Sequence, residues 1–176
     1  LKLGELAAEA GVPVGVFNVV TGYGAVTGEA LGLHMDVDAL AFTGSGAVGR
    51  RLLEYSARSN LKRVHLELGG KSPNIVFADA PDLDKAAKTS AYGIFRNSGQ
   101  VCVAGSRLLV ERSIAEEFSA KVADIAAAMK VGDPLLLTTE AGAISSEAQL
   151  GKNLAFAGEA LAEGARLRTG GARILT

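Results

Sequence analysis

Apolar side chains recur at helical spacing at Leu3, Leu6, Ala7 and Ala10, and Gly11 with Pro13 closes that run. Val16 to Val20 form a short β-rich run that reads as a strand and ends at Thr21-Gly22-Tyr23-Gly24. Residues 25–33 predict a short helix and Ala39 to Thr43 a buried strand. A Gly-rich turn at 44–49 leads into a helix from Val48 to Ala57, which carries Leu52, Leu53 and Tyr55. Arg63 to Leu68 predict a strand that closes on Gly69-Gly70. Asn74 to Ala78 predict another, Asp82 caps a helix running to about Phe95, and Arg107 to Glu111 give the next strand. Ser113-x-x-Glu116 reads as a capping box, with Ile114, Phe118, Val122, Ile125 and Met129 spaced by four and three. Gly132-Asp133-Pro134 breaks that helix. Ser146-x-x-Gln149 is a second box, opening a helix with Leu150, Leu154 and Leu161, and Gly170-Gly171 turns the chain toward a final strand that barely begins. The alternation implies an α/β chain built of parallel βαβ units, with a soft boundary near Gly69-Gly70.

Composition removes several classes of function. With 48% apolar and 21% charged residues the chain is expected to fold around a core, so a disordered or low-complexity protein is excluded. Lys and Arg total 18 against 19 Asp and Glu, and the basic residues spread evenly along the chain, so no nucleic-acid partner is expected. No stretch approaches the ~18 apolar residues of a membrane helix, so no membrane partner is expected. The single Cys102 forms no internal disulfide and fits a reducing, cytoplasmic setting. One Cys and two His (His34, His65) make no Cys/His zinc cluster, so no metal site is expected. Gly44-Ser45-Gly46 lacks the spacing of a hydrolase nucleophile elbow. The chain opens on Leu1 inside an amphipathic run and is expected to be a fragment.

Three segments carry candidate chemistry. Gly44-Ser45-Gly46-Ala47-Val48-Gly49 is a literal G-x-G-x-x-G between a strand and a helix, with the acidic Glu67 18 positions beyond Gly49. Such glycines let backbone approach a pyrophosphate, and helix N-terminal amides attract anions, with Glu67 on a ribose hydroxyl. The same spacing also suits a tight turn that serves only packing. Leu66-Glu67-Leu68-Gly69-Gly70-Lys71-Ser72 sets a carboxylate at a strand end. There, partial burial would raise its pKa and make it a general base, or it would pair with Lys71 or Arg63 in solvent. Phe95 to Cys102 delivers the only thiol in a Gly-flanked loop, either as a nucleophile toward a carbonyl or as an inert apolar residue.

Together these segments resemble the aldehyde dehydrogenase superfamily. Its pattern appears as Phe42-Thr43-Gly44-Ser45-Gly46-Ala47-Val48-Gly49, as Glu67-Leu68-Gly69-Gly70-Lys71, and as Gly99-Gln100-Val101-Cys102. Pro73 to Asp79, Gly105-Ser106-Arg107 and Val131-Gly132-Asp133-Pro134 also match, in the family's order along the whole chain. Gly46 replaces the family's usual Thr, Ser98 stands where Gln is common, and Leu136-Leu137 replace Asp-Pro. Ala78 to Leu83 resembles members acting on γ-glutamylamino- or other aminoaldehydes.

The resemblance implies a partial aldehyde-dehydrogenase-like fold drawn from two incomplete domains. Residues 1–68 would be the C-terminal half of an NAD(P)-binding domain, and residues 69–176 the N-terminal part of a catalytic domain. It makes Cys102 the nucleophile and Glu67 the general base instead of a ribose ligand. Gly44, Ser45 and Gly49 would lie along NAD or NADP, with Gly24 and Leu68 touching it. The partner would be a small aldehyde, and the parent enzyme a homo-oligomer, dimer or tetramer. The family's oxyanion Asn and ribose-binding Lys lie upstream of this chain, and its Glu-Glu-Ile-Phe-Gly-Pro segment downstream. The alternative is a catalytically inactive fragment, at most a nucleotide-contact or interaction module. A redox-sensing Cys protein is a third possibility.

Overall fold

A computed structural model describes residues 1–174. The chain divides into two compact units, Leu1–Gly69 and Gly70–Thr176.

The first unit is one βαβ unit preceded by two helices. Helix α1 (Lys2–Glu9) is followed by α2 (Gly24–Leu33), β1 (Ala39–Gly44), α3 (Gly46–Ala57) and β2 (Arg63–Leu68). Strands β1 and β2 pair in parallel, from Ala39 beside Arg63 to Gly44 beside Leu68. A parallel pair needs a crossover, and α3 supplies it. Val64, Leu66 and Leu68 alternate inward along β2, while Arg63, His65 and Glu67 point out. Gly49 lets α3 lie against this strand, because a Cβ there would stand 3.0 Å from Leu68 Cδ2 and 3.3 Å from Leu66 Cδ1. Gly32 plays the same part for α2, where a Cβ would meet the Tyr55 ring at 2.8 Å.

Leu52 is the one large apolar side chain buried in this unit among the described residues. Polar contacts do much of the remaining work. Lys62 is buried, and its Nζ donates to the Gly32 carbonyl (2.6 Å) at the end of α2 and to Ser59 Oγ (2.7 Å). A cation there also complements the negative end of the helix dipole. Ser56 Oγ donates to the Lys62 carbonyl (2.7 Å), and Asn60 Nδ2 donates to the Met35 (2.7 Å) and Val37 (3.0 Å) carbonyls.

Three expectations fail in this unit. Val16 to Val20 is not a strand: residues 14–17 turn, and Asn18 Nδ2 donates back to the Gly15 carbonyl (2.8 Å). A β-rich run becomes a strand only with a neighbour to complete its ladder, and only β1 and β2 pair in this unit. Strand β1 is half-buried at best, because it has one neighbour and one covering helix. The Gly-rich turn shrinks to Gly44-Ser45. Ser45 caps α3 by accepting from Val48 N (3.3 Å), so Gly46 to Gly49 are already its first turn.

The second unit repeats the pattern. Strand β3 (Pro73–Val76), helix α4 (Leu83–Phe95) and strand β4 (Arg107–Val110) form a βαβ unit, followed by α5 (Ala115–Ala128) and α6 (Glu147–Ala162). Pro73 pairs with Arg107 and Val76 with Val110, in parallel. Asp82 caps α4 through Lys85 N (2.9 Å), and Ser146 caps α6 through Gln149 N (3.2 Å), both as expected. Val76, Ala87, Ala91, Phe118 and Val122 form the core, with Ala87 and Ala91 letting α4 approach α5.

The second unit brings its own corrections. Strand β3 stops at Val76, two residues short of Ala78, because Ala78 N donates to Glu111 Oε2 (2.9 Å) instead of to a strand. Ser113 does not cap α5: its hydroxyl donates to Glu111 Oε1 (2.6 Å), and Ile114 holds the cap position without a side-chain bond. Glu116, the other half of that box, is held by Arg168 (2.5 Å) and Arg166 (3.2 Å). Gln149 likewise turns to Asn153 (2.9 Å), so the second box is only half made. No strand follows Gly170-Gly171 through Ile174, and the rest of that expected strand lies outside the described residues.

Phe118 is the one large side chain fully buried in the chain's described part, at 1% exposure. Phe118→Ala is expected to destabilise the second unit by about 3–5 kcal/mol, read as a lower urea midpoint in far-UV circular dichroism. A much smaller loss would mean that α4 and α5 close the cavity.

Candidate active site

The C-terminal end of the β1–β2 pair collects one group of candidates. The register sets Thr43 beside Glu67 and Gly44 beside Leu68. In open α/β sheets ligands bind at this end of the strands. The N-terminus of α3 begins at the same end, one residue beyond β1. Its first amides have no partner within the helix, and no acidic residue occupies its first turn, so the helix dipole favours an anion there. The backbone is open: a Cβ at Gly46 would meet only the tip of Arg50 at 3.5 Å, and one at Gly24 would meet nothing within 4 Å.

The expected residues differ in what they do here. Gly44 accommodates the Phe42 ring, since a Cβ there would collide with Phe42 Cζ. Ser45 commits its hydroxyl to the α3 cap. Gly49 is buried under Leu66 and Leu68, so what the structure shows at this position is helix–strand packing. Leu68 turns its side chain onto Gly49. Gly24 opens α2 in free space. Glu67 points outward and is exposed, so of the two settings the sequence left open the structure shows the solvent one, not partial burial.

Cys102 sits in the second unit, on a loop fixed at both ends. Upstream, α4 runs into three successive left-handed residues: Asn97 (φ 52°), Ser98 (φ 56°) and Gly99 (φ 71°). For side-chain-bearing residues this region costs roughly 1–2 kcal/mol each, with Asn penalised less than Ser. Asn97 Nδ2 donates to the Gln100 carbonyl (3.1 Å), and Gln100 N donates to the Asn97 carbonyl (3.1 Å). Cys102 then occupies a turn closed by Ala104 N donating to the Val101 carbonyl (3.2 Å), with its side chain exposed. Downstream, Ala104 is buried, and Gly105 passes Asn74 so closely that a Cβ would stand 3.0 Å from Asn74 Cβ. Gly70 lies against the same loop, its Cβ position 3.4 Å from the Cys102 carbonyl oxygen.

A second segment braces the upstream end. Ser98 Oγ donates to the Gly142 carbonyl (2.8 Å), and Ser145 N donates to Gln100 Oε1 (3.1 Å). Tyr92 OH donates to Glu140 Oε1 (2.5 Å), while Glu140 Oε2 accepts from Lys130 N (3.0 Å). The phenol's hydrogen bond to Glu140 and the charge of that carboxylate push the Tyr92 pKa up from 10.0. The same bond, aided by Lys130 N, holds Glu140 below its ordinary 4.5. At the first turn of α5, the Arg168 and Arg166 guanidiniums hold Glu116 down to about 2. Among the described residues no cluster of His, Cys, Asp and Glu is arranged to hold a metal ion.

The sequence profile of the aldehyde dehydrogenase family matches residues 1–175. This chain belongs to the aldehyde dehydrogenase family. Human (Homo sapiens) retinal dehydrogenase 2 is 50% identical over 171 residues, covering 97% of this chain and 33% of the relative. The NADP/NAD-dependent aldehyde dehydrogenase PuuC of Escherichia coli (strain K12) is 55% identical over 144 residues, 82% of this chain and 29% of the relative. Among solved structures, an indole-3-acetaldehyde dehydrogenase complexed with NAD+ superposes with a TM-score of 0.95. It shows 50% identity and covers 99% of this chain and 35% of that one. The chain thus spans about a third of the length of these relatives. The partial aldehyde dehydrogenase fold expected from the motifs is the fold observed.

The brace in this aldehyde dehydrogenase chain escaped the sequence reading. Asn97-x-Gly99 was a usable signal, since Asn and Gly tolerate left-handed backbone. Tyr92 and Glu140 stand 48 positions apart, and no local pattern links them. Two pH limits follow for the pair. Its contribution from Glu140 is present above pH 4.5 and fades as the pH falls through the depressed carboxylate pKa; that from Tyr92 is present below pH 10.0 and fades as the pH rises through the raised phenol pKa. Glu140→Gln is expected to lower the Tyr92 midpoint in an ultraviolet phenolate titration referenced to Tyr92→Phe. An unchanged midpoint would show that the pair is not made in solution.

Proposed function

We propose that this chain is part of an enzyme that oxidises an aldehyde to a carboxylic acid with NAD(P)+, through a thioester on Cys102. One observation carries the reading: the parallel register that sets Glu67 and the opening of α3 at one end of one strand pair. Family membership supports it, and Cys102 exposed on a doubly anchored loop supplies a thiol that substrate can reach. On this reading residues 1–68 are the C-terminal half of the cofactor-binding domain and residues 69–176 the N-terminal part of the catalytic domain.

The open backbone at Gly24 and Gly46 and the α3 amides of Gly46 and Ala47, which the Ser45 cap does not take, fit the anionic pyrophosphate of a dinucleotide. Gly44, Ser45 and Leu68 would hold it through backbone at the strand ends with Gly49 beside them, and Gly49 also lets α3 sit close to β2. When bound, the nicotinamide supplies a hydride acceptor.

Cys102 thiolate adds to the aldehyde carbon, forming the C–S bond of a thiohemiacetal, and the Cys102 backbone N–H helps hold the oxyanion. After the oxidation Cys102 carries the acyl group as a thioester. Glu67 then takes a proton from water, the hydroxide adds to the acyl carbon, and the C–S bond breaks to return the thiolate and release the acid. The substrate is a small aldehyde. The parent enzyme is a cytoplasmic homo-oligomer, with no metal, nucleic-acid or membrane partner. No helix among the described residues is long and apolar enough to cross a membrane.

The chain's span of about a third of its relatives favours a second reading for these 176 residues alone, a catalytically silent piece of that enzyme. Robust NADH formation by the isolated chain would overturn it. In the full-length protein Cys102→Ala is expected to abolish aldehyde-dependent NADH formation. Glu67→Gln is expected to leave one rapid turnover per site, followed by a steady state slower by ~10²–10⁴. Normal turnover by Cys102→Ala would sink the mechanism.

A further inference from the structure

We propose that the segment from Lys130 to Ser145 is a brace that sets the position of the Cys102 thiol, and that Ser98 is the positioning residue through which it acts. The inference rests on the reading of Cys102 as nucleophile.

The left-handed run Asn97–Ser98–Gly99 reverses the chain out of α4 and determines where the Cys102 turn begins. Gly99 adopts that conformation freely, and Asn97 with little penalty, but Ser98 does not. A strained residue persists only where its surroundings over-determine it. Here the half-buried Ser98 hydroxyl reaches Gly142, 44 positions away, at 2.8 Å. Two residues on, the Gln100 side chain takes the Ser145 amide at 3.1 Å. Both contacts land on one short stretch of chain.

That stretch is itself fixed. Lys130 N donates to Glu140 Oε2 (3.0 Å), while Glu140 N (2.8 Å) and Ala141 N (3.2 Å) donate to the Lys130 carbonyl. Gly132 N donates to the Ala141 carbonyl (3.1 Å), completing a small parallel bridge between Val131 and Ala141. Tyr92, on the last turn of α4, closes the circuit by donating to Glu140. The loop bearing the thiol is therefore tied to α4 twice: directly through the chain and again through the brace. A helix end and a bridge grip the one residue whose backbone would otherwise relax, and relaxation there moves the start of the Cys102 turn.

Three substitutions in the full-length protein separate positioning from folding. Ser98→Ala keeps the backbone penalty and removes the hydroxyl; Ser98→Gly removes both; Ser98→Asn tolerates the left-handed region and returns a donor. The readouts are the first-turnover rate of NADH formation, KM for aldehyde, the rate of Cys102 alkylation by iodoacetamide without cofactor, and the melting temperature. Ser98→Ala and Ser98→Gly are expected to slow the first turnover at least about tenfold with KM little changed, because small misplacements of a reacting group cost that much. Both should alter the alkylation rate. Ser98→Gly should melt near wild type, since relief of the backbone offsets the lost bond, and Ser98→Asn should recover most of the rate.

A wild-type first-turnover and alkylation rate in Ser98→Ala and Ser98→Gly would overturn the proposal, as would a loss of turnover that merely tracks melting temperature across the series. Failure of the nucleophile reading is distinguishable, because Cys102→Ala would then retain turnover whatever Ser98 does.

Discussion

Parallel pairing of β1 with β2, in the register that sets Gly44 beside Leu68, is the constraint on which the first unit depends. Parallel strands cannot be joined by a hairpin, so a helix must cross between them, and its N-terminus must emerge where β1 ends. One covalent requirement thus delivers three features to a single edge: the α3 amides, the outward Glu67 carboxylate and the Gly44-Ser45 turn. A slip of one residue would reverse the faces of β2 and turn Glu67 inward. The contact that prevents it is modest. Gly49 admits Leu66 and Leu68 beneath α3, and any side chain there would push helix and strand apart. Gly49, a candidate cofactor contact in the sequence, thus serves helix–strand packing as well.

The second unit solves a different problem. Its strands β3 and β4 are only four residues each, and the catalytic candidate lies in neither. Cys102 is held by the segments that flank it: a buried Ala104 and a close-passing Gly105 on one side, a left-handed turn on the other. Burial fixes the downstream side and hydrogen bonds to carbonyls and amides fix the upstream side. The thiol can then remain exposed without being loosely placed. A loop held in this way joins an exposed side chain to a rigid scaffold.

Most of the elements were legible in the sequence because they follow from local causes. Asp82 and Ser146 cap the helices they were expected to cap, and Glu67 and Cys102 stand out through the glycines around them. The failures share one origin, the choice of partner. Val16 to Val20 have strand composition but no ladder among the described residues. Ser113 and Glu116 have capping-box spacing, yet Glu111 takes the hydroxyl and Arg168 takes the carboxylate. For Glu67 the sequence left a buried and a solvent setting both open, and alternation along β2 selects the outside. Spacing specifies which bonds a residue is able to make, and tertiary competition selects among them.

That competition also explains how a unit with Leu52 as its one large buried side chain holds its shape. The Lys62 ammonium, buried and bonded to the last carbonyl region of α2 and to Ser59, joins the end of one helix to the start of β2. Ser56 and Asn60 tie the end of α3 to the same strand and to the chain entering β1. All of these contacts lie at the N-terminal edge of the strands, opposite the edge that carries Glu67. The unit therefore separates its tasks by edge. Directional hydrogen bonds fix one end; at the other, Ser45 caps α3 through the Val48 amide and the Glu67 carboxylate stays exposed. On the proposed reading, that openness is what leaves room at the strand ends for an anion and a water.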